Sequence, residues 1–138
     1  MIEYCDICEK EVKTQIITRQ ETYNVRGEEI TVNAQVLVCA ECGEELFNEE
    51  LDSVTLIDAY NEYRRRHKLL FPKEIKKIRE QYGLSQSGFA KLLNWEDRTI
   101  SRYENGAVQD QEHNSMLLFL KKPENMKSYL AKNKGSLV

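Results

Sequence analysis

The sequence predicts an α+β fold, with a small β-hairpin domain that holds four cysteines followed by an all-α domain. Three observations carry this. The four cysteines all fall in the first third of the chain, as the pairs Cys5/Cys8 and Cys39/Cys42. Between the pairs, Ile30, Val32, Ala34, Val36 and Val38 alternate with Thr31, Asn33, Gln35 and Leu37, the period of two of a half-buried strand. From Pro72 onward there are only short apolar stripes at helical spacing.

Taken in order, the run from Val12 to Tyr23 is rich in Thr, Ile and Gln and is the expected partner of that strand. Val25-Arg26-Gly27-Glu28 supplies the turn, with Gly27 free to take positive φ. These elements place the first domain at residues 1–47. Asn48 is a good N-cap, followed by Glu49, Glu50 and Asp52 near the positive end of a helix dipole. Leu51, Val54, Ile57 and Tyr60 follow at helical spacing and predict a linking helix over 48–70. Arg64-Arg65-Arg66 ends it, either as a solvated complement to the dipole, the favoured reading, or as a nucleic-acid contact.

Phe71-Pro72 marks the boundary to a domain over 71–138, because Pro72 can start a helix but not continue one. Ile75, Ile78 and Tyr82 form one stripe, stopped by Gly83. Ser85 caps a second helix carrying Phe89, Ala90, Leu92 and Leu93. Asn94-Trp95-Glu96 reads as a tight turn, with Asn94 able to turn left-handed. Asp97 is expected to cap a third helix, with Ile100 and Tyr103 inward and Asn105-Gly106 at its end. Met116, Leu117 and Leu120 belong to a further helix, and Lys132 to Val138 is expected to fray.

Hydrophobic residues make up 41% of the chain, which is globular rather than disordered composition. No apolar run reaches the roughly 18 residues of a membrane span. The start, Met1-Ile2-Glu3-Tyr4-Cys5-Asp6, lacks the basic and apolar regions of a secretory signal, so a cytoplasmic location is expected. The overall charge of −3 conceals a split. Residues 1–70 hold 8 basic against 15 acidic side chains, and residues 71–138 hold 12 against 8. A basic half suits nucleic acid, which an acidic half repels, although a solvated charged surface gives the same count.

Two Cys-x-x-Cys loops, thirty residues apart, can bring Cys5, Cys8, Cys39 and Cys42 onto one point in all-sulfur tetrahedral coordination. One Zn2+ suits those soft ligands. Two disulfides are the lesser alternative, since a cytosolic protein would not normally keep them. A redox Cys pair is disfavoured by the lack of a βαβ unit around either motif. The spacing is also similar to rubredoxin, an iron electron-transfer protein that normally has glycine after each knuckle. Here Gly43 follows Cys42 but Glu9 follows Cys8. Four protein ligands leave no open position, so the metal is expected to fold a domain too small to stand alone, and not to catalyse. His67 and His113 are expected in surface or capping roles.

Arg98 and Arg102 lie four apart and share a helix face, turned away from Ile100 and Tyr103. An arginine fork there can pair with guanine O6/N7 in the major groove, with Thr99 short enough for close approach. Alternatively the two arginines form surface pairs with Asp97 or Glu104. Ser85 and Gln86 open the preceding helix, where amides and side chains can hold a phosphate. Leu84-Ser85-Gln86, Phe89-Ala90-Lys91-Leu92-Leu93 and Ile100-Ser101-Arg102-Tyr103-Glu104-Asn105-Gly106 resemble the phage-repressor-like (XRE) helix-turn-helix over about 72–120. That resemblance adds Asn105 as a backbone contact. Asn94 stands where the family commonly has glycine, and Ala107 where a basic residue is common.

The four-cysteine hairpin joined to this helix-turn-helix resembles the YgiT-type (MqsA-like) antitoxins over nearly the whole chain. The resemblance implies a homodimer formed through the C-terminal domain, autorepression at a palindromic operator in double-stranded DNA, and a zinc domain that engages a cognate toxin. The acidic first domain fits a basic partner by sign. A stand-alone XRE-family transcription factor with a structural zinc domain, and a rubredoxin-like electron carrier, are the alternatives. No nucleophile-base pair or open metal position appears, so the chain is not expected to be an enzyme.

Overall fold

The computed structural model describes residues 1–133. Of the tail expected to fray, residues 134–138 lie outside the described residues, and Lys132 closes the last helix. The architecture is α+β and the chain forms two compact units, Met1–Tyr63 and Arg64–Val138.

The first unit is an antiparallel sheet in the order β1-β2-β3-β4, with β1 Ile2–Cys5, β2 Lys10–Val25, β3 Glu28–Cys39 and β4 Glu45–Leu46. β2 and β3 form a long ribbon, from Thr14 opposite Cys39 to Val25 opposite Glu28. A two-residue turn closes it, with Arg26 and Gly27 both at positive φ (51° and 85°), as a right-twisted hairpin requires. Asn24 Oδ1 accepts the Gly27 N–H at 2.9 Å and holds the turn. β1 and β4 are two short strands that the sequence patterns did not announce. Leu37, on the polar phase of β3, is nonetheless buried, with Leu46 of β4 as its cross-strand neighbour.

Helix α1, Glu49–His67, begins as expected at Asn48, whose Oδ1 accepts the Leu51 N–H at 3.0 Å. Its inner face differs from the expected stripe. Thr55 and Ala59 are buried, and Ala59 packs with Val25 and Ile30, while Val54 and Ile57 are 57% and 55% exposed. A close approach to the pleated ribbon favours the small Thr55 and Ala59 over the larger residues.

The second unit takes in the end of α1 and five further helices, α2 Pro72–Gln81, α3 Gln86–Leu92, α4 Thr99–Glu104, α5 Gln111–Leu120 and α6 Pro123–Lys132. One core joins Ile75, Ile78, Phe89, Ile100, Leu117 and Leu120, with Met126 of α6 added. Pro123 at the first position of α6 is a start signal that the apolar periodicity alone does not expose. Gly83 and Asn94 take the left-handed turns expected of them, at φ 65° and 60°. Asp97 does not cap α4: the N-cap is Arg98, without a side-chain cap.

The arginine run is not uniformly solvated. Arg64 is 2% exposed, and its guanidinium donates to the Gly106 carbonyl at 2.7 Å, just past the end of α4. His113 is half-buried, not a plain surface residue. Its ring stacks on Trp95 with centroids 3.8 Å apart, and its Nδ1 lies 2.6 Å from the Tyr103 hydroxyl.

Candidate functional site

The two cysteine loops are built alike. Glu9 N–H donates to the Cys5 carbonyl at 2.7 Å, and Gly43 N–H to the Cys39 carbonyl at 2.9 Å. The residue after each second cysteine takes the left-handed conformation, Glu9 at φ 55° and Gly43 at φ 78°. The turn that glycine makes freely is therefore also made by Glu9, so the missing glycine does not separate the first loop from a rubredoxin-type knuckle.

Backbone amides point at the sulfurs. Cys8 N–H donates to Cys5 Sγ at 3.5 Å, and the N–H groups of Glu41 and Cys42 donate to Cys39 Sγ at 3.4 and 3.5 Å. Hydrogen bonds to sulfur favour the thiolate. The Cys39 thiol is thus lowered to about 7, above all by the Cys42 amide, against the effect of burial. Cys8 is pushed up to about 12 by its hydrogen bond with Cys42 and by burial.

All four Sγ atoms lie within 4.8 Å of one another. Cys5 and Cys42 are 3.6 Å apart, and Cys8 and Cys39 3.9 Å. A disulfide bond is only about 2.05 Å long, so the disulfide alternative does not fit these free thiols. Tetrahedral Zn–S bonds of about 2.3 Å would set neighbouring sulfurs about 3.8 Å apart, close to the spacing found. The four cysteines therefore fit a tetrahedral metal ion held between β1, β3 and their loops.

In the second unit, Arg98, Arg102 and Asn105 fall at helical spacing along one exposed side of α4, opposite the buried Ile100. Thr99, half-buried, opens the helix. The nearest carboxylate to Arg102 is neither Asp97 nor Glu104 but Glu96, at 3.6 Å on the surface. Such an exposed pair contributes little and leaves the guanidinium available. Asn105 donates to Ser101 Oγ at 3.3 Å. Ser85 caps α3, accepting the Gly88 N–H at 3.0 Å, and Gln86 Nε2 donates to Glu104 at 3.1 Å.

A brace not visible in the sequence holds these helices. Arg79 of α2 donates through two nitrogens to Glu104, at 2.8 and 3.0 Å, and through a third to the Leu84 carbonyl at 2.9 Å. With Gln86 it fixes the start of α3 against the end of α4. Residues 25 apart in the chain carry no periodic signal, and only the opposite charges of Arg79 and Glu104 hint at a pair.

Across residues 3–128, the chain matches the family model for MqsA, described as the antitoxin component of a bacterial toxin-antitoxin system. The chain belongs to the MqsA antitoxin family. Among curated proteins no significant match was found. The MqsA-family match spans both the cysteine loops and the helices through most of α6, so the four clustered thiols and α3–α4 lie within one family unit. Membership makes the chain an antitoxin by family and implies a cognate toxin as its partner. None of the described helices is long and apolar enough to cross a membrane.

Proposed function

We propose that the chain is a DNA-binding autorepressor as well as an antitoxin, with the two roles divided between its two units. The exposed row of Arg98 at the N-cap of α4, Arg102 within it and Asn105 at its C-cap carries this proposal. α3 and α4 act as the two helices of a helix-turn-helix, with Arg98 and Arg102 reading base edges and Thr99 allowing close approach. Ser85, Gln86 and Asn105 lie where phosphate contacts are made. The charge division supports it. Counted at the unit boundary, residues 1–63 hold 4 basic against 15 acidic side chains, a net −11, and residues 64–138 hold 16 against 8, a net +8. A polyanion is attracted to the second unit and repelled by the first.

The first unit, folded around one structural Zn2+ at Cys5, Cys8, Cys39 and Cys42, takes the toxin. Zinc suits four thiolates and a site closed to other ligands. The palindromic operator calls for a homodimer through the second unit. Leu118 and Phe119 of α5 are 44% and 43% exposed and supply an apolar face for a second copy.

The test is binding of the zinc-loaded chain to its own upstream duplex and to an unrelated duplex over a salt series. The wild type and Arg98→Ala/Arg102→Ala are compared. Selective binding lost in the double variant is expected, each arginine accounting for about 1–3 kcal/mol. Weak, unselective binding that the variant leaves unchanged overturns repression through α4.

A further inference from the structure

Helix α1 and the segment before it present an unusual surface. Residues 41–62 contain eight carboxylates and no lysine or arginine. Large apolar side chains are exposed in the same stretch, with Phe47 at 82%, Val54 at 57% and Ile57 at 55%. Phe47 precedes the N-cap Asn48, a position that often packs against the fourth residue of the helix. Here that residue is Asp52, so no such staple forms. Ile57 lies three residues after Val54, so the helical turn sets the two on one outward row, and Phe47 is exposed just before the helix begins. The opposite side of α1 is already occupied, since Thr55 and Ala59 are buried and Ala59 packs on the ribbon.

We infer that this acidic, apolar row on α1 is the docking surface for the toxin, whose matching face is an apolar cleft or helix rimmed by lysine and arginine. The inference rests on the toxin-partner function proposed above. The occupant follows from charge. Pairing with the first unit of a second copy brings the same net −11 and the same row of carboxylates against each other, which opposes it, and DNA or an anionic lipid surface is repelled for the same reason. A basic protein gains from both components: its charges meet Glu50 and Asp58, which the helical turn places beside Val54 and Ile57, and its apolar centre covers Phe47, Val54 and Ile57.

The test uses the full zinc-loaded chain and the purified protein encoded by the gene adjoining this one, with affinity measured at two salt concentrations. Val54→Lys/Ile57→Lys reverses the character of the row at exposed positions. Thr18→Lys/Asn33→Lys adds the same charge on the exposed ribbon. Zinc content, melting and operator binding are checked in both. The expected result is a loss of toxin affinity on the order of 100-fold in the α1 variant, as for removal of two anchors, and less than about 3-fold in the ribbon variant. Wild-type affinity should also fall with salt. Toxin binding that the α1 variant leaves intact, or that both variants weaken equally, overturns the α1 assignment alone. A wild-type chain that does not bind the toxin overturns the partner function and the inference together. A change in the oligomeric state of the chain caused by the α1 variant makes a second copy the occupant and overturns the inference.

Discussion

Glu9 closes the first cysteine loop in a conformation that costs an L-residue with a side chain about 1–2 kcal/mol, and Gly43 does the same in the second loop at little cost. Glu9→Gly is therefore expected to strengthen metal retention modestly, by up to about 1 kcal/mol after the added freedom of the unfolded chain is counted. Glu9→Val, β-branched in a left-handed turn, is expected to weaken it. Competition against a chromogenic chelator reads both, and equal affinity in all three proteins would refute the strain. The thiols permit a sharper expectation. Cys39 is 1% exposed, has its thiol pKa lowered, and receives two amide hydrogen bonds. Cys39→Ser is expected to abolish metal binding at the four-cysteine cluster and to unfold the first unit, measured by metal analysis and by the loss of dispersed β-sheet amide resonances.

Among the elements, α4 is held at its end by two arginines from different helices. Arg64 reaches the Gly106 carbonyl from α1, and Arg79 reaches Glu104 from α2. Arg64→Met should remove a charged donor from a buried carbonyl and cost about 1.5–3 kcal/mol, read from denaturant unfolding of the second unit. Arg65→Met, at an exposed neighbour, should cost far less. Glu104 ties the brace to pH. Burial alone would raise its pKa, but the hydrogen bonds from Arg79 and Gln86 outweigh burial and hold it below the ordinary 4.5. A carboxyl lowered in the folded state contributes its stability in full above the unfolded value, and that contribution is lost as pH falls from 4.5 through the folded value. Helix melting of the second unit should therefore drop as pH is lowered from 6 to 3. Glu104→Gln should lower the midpoint at pH 6 and flatten its pH dependence, and an equally steep profile in the variant would remove Glu104 as the cause.

At the scale of the whole molecule, the two units rest on different physics. The first has only small apolar clusters, one of them made largely of the cysteines themselves, whereas the second has a continuous core from Leu70 to Met126. Stripping the metal should thus abolish the folding transition of the first unit and leave that of the second. Calorimetry of the full chain with and without a strong chelator measures this, and a single transition shifted as one would mean that the units fold together. A chelator that abolished operator binding while the second unit stayed folded would count against the division of roles proposed for the two units.

The sequence alone determined the features that depend on local chemistry or fixed spacing. The two Cys-x-x-Cys loops, the Arg26-Gly27 turn, the caps at Asn48 and Ser85 and the left-handed Asn94 all follow from neighbours a few residues apart, where backbone geometry leaves few choices. Periodicity indicated that α1 is a helix but gave its inner face only in part: Leu51 and Tyr60 are half-buried, whereas Val54 and Ile57 are exposed, because apolar spacing records which residues could pack, not how close the ribbon lies. Close packing selected Thr55 and Ala59 and left Val54 and Ile57 outside. The burial of Arg64, the Arg79–Glu104–Gln86 brace and the pairing of β1 and β4 likewise join residues whose separation carries no period. Tertiary structure decided these features, because each depends on which buried polar groups and open strand edges the folded chain brings within reach of one another.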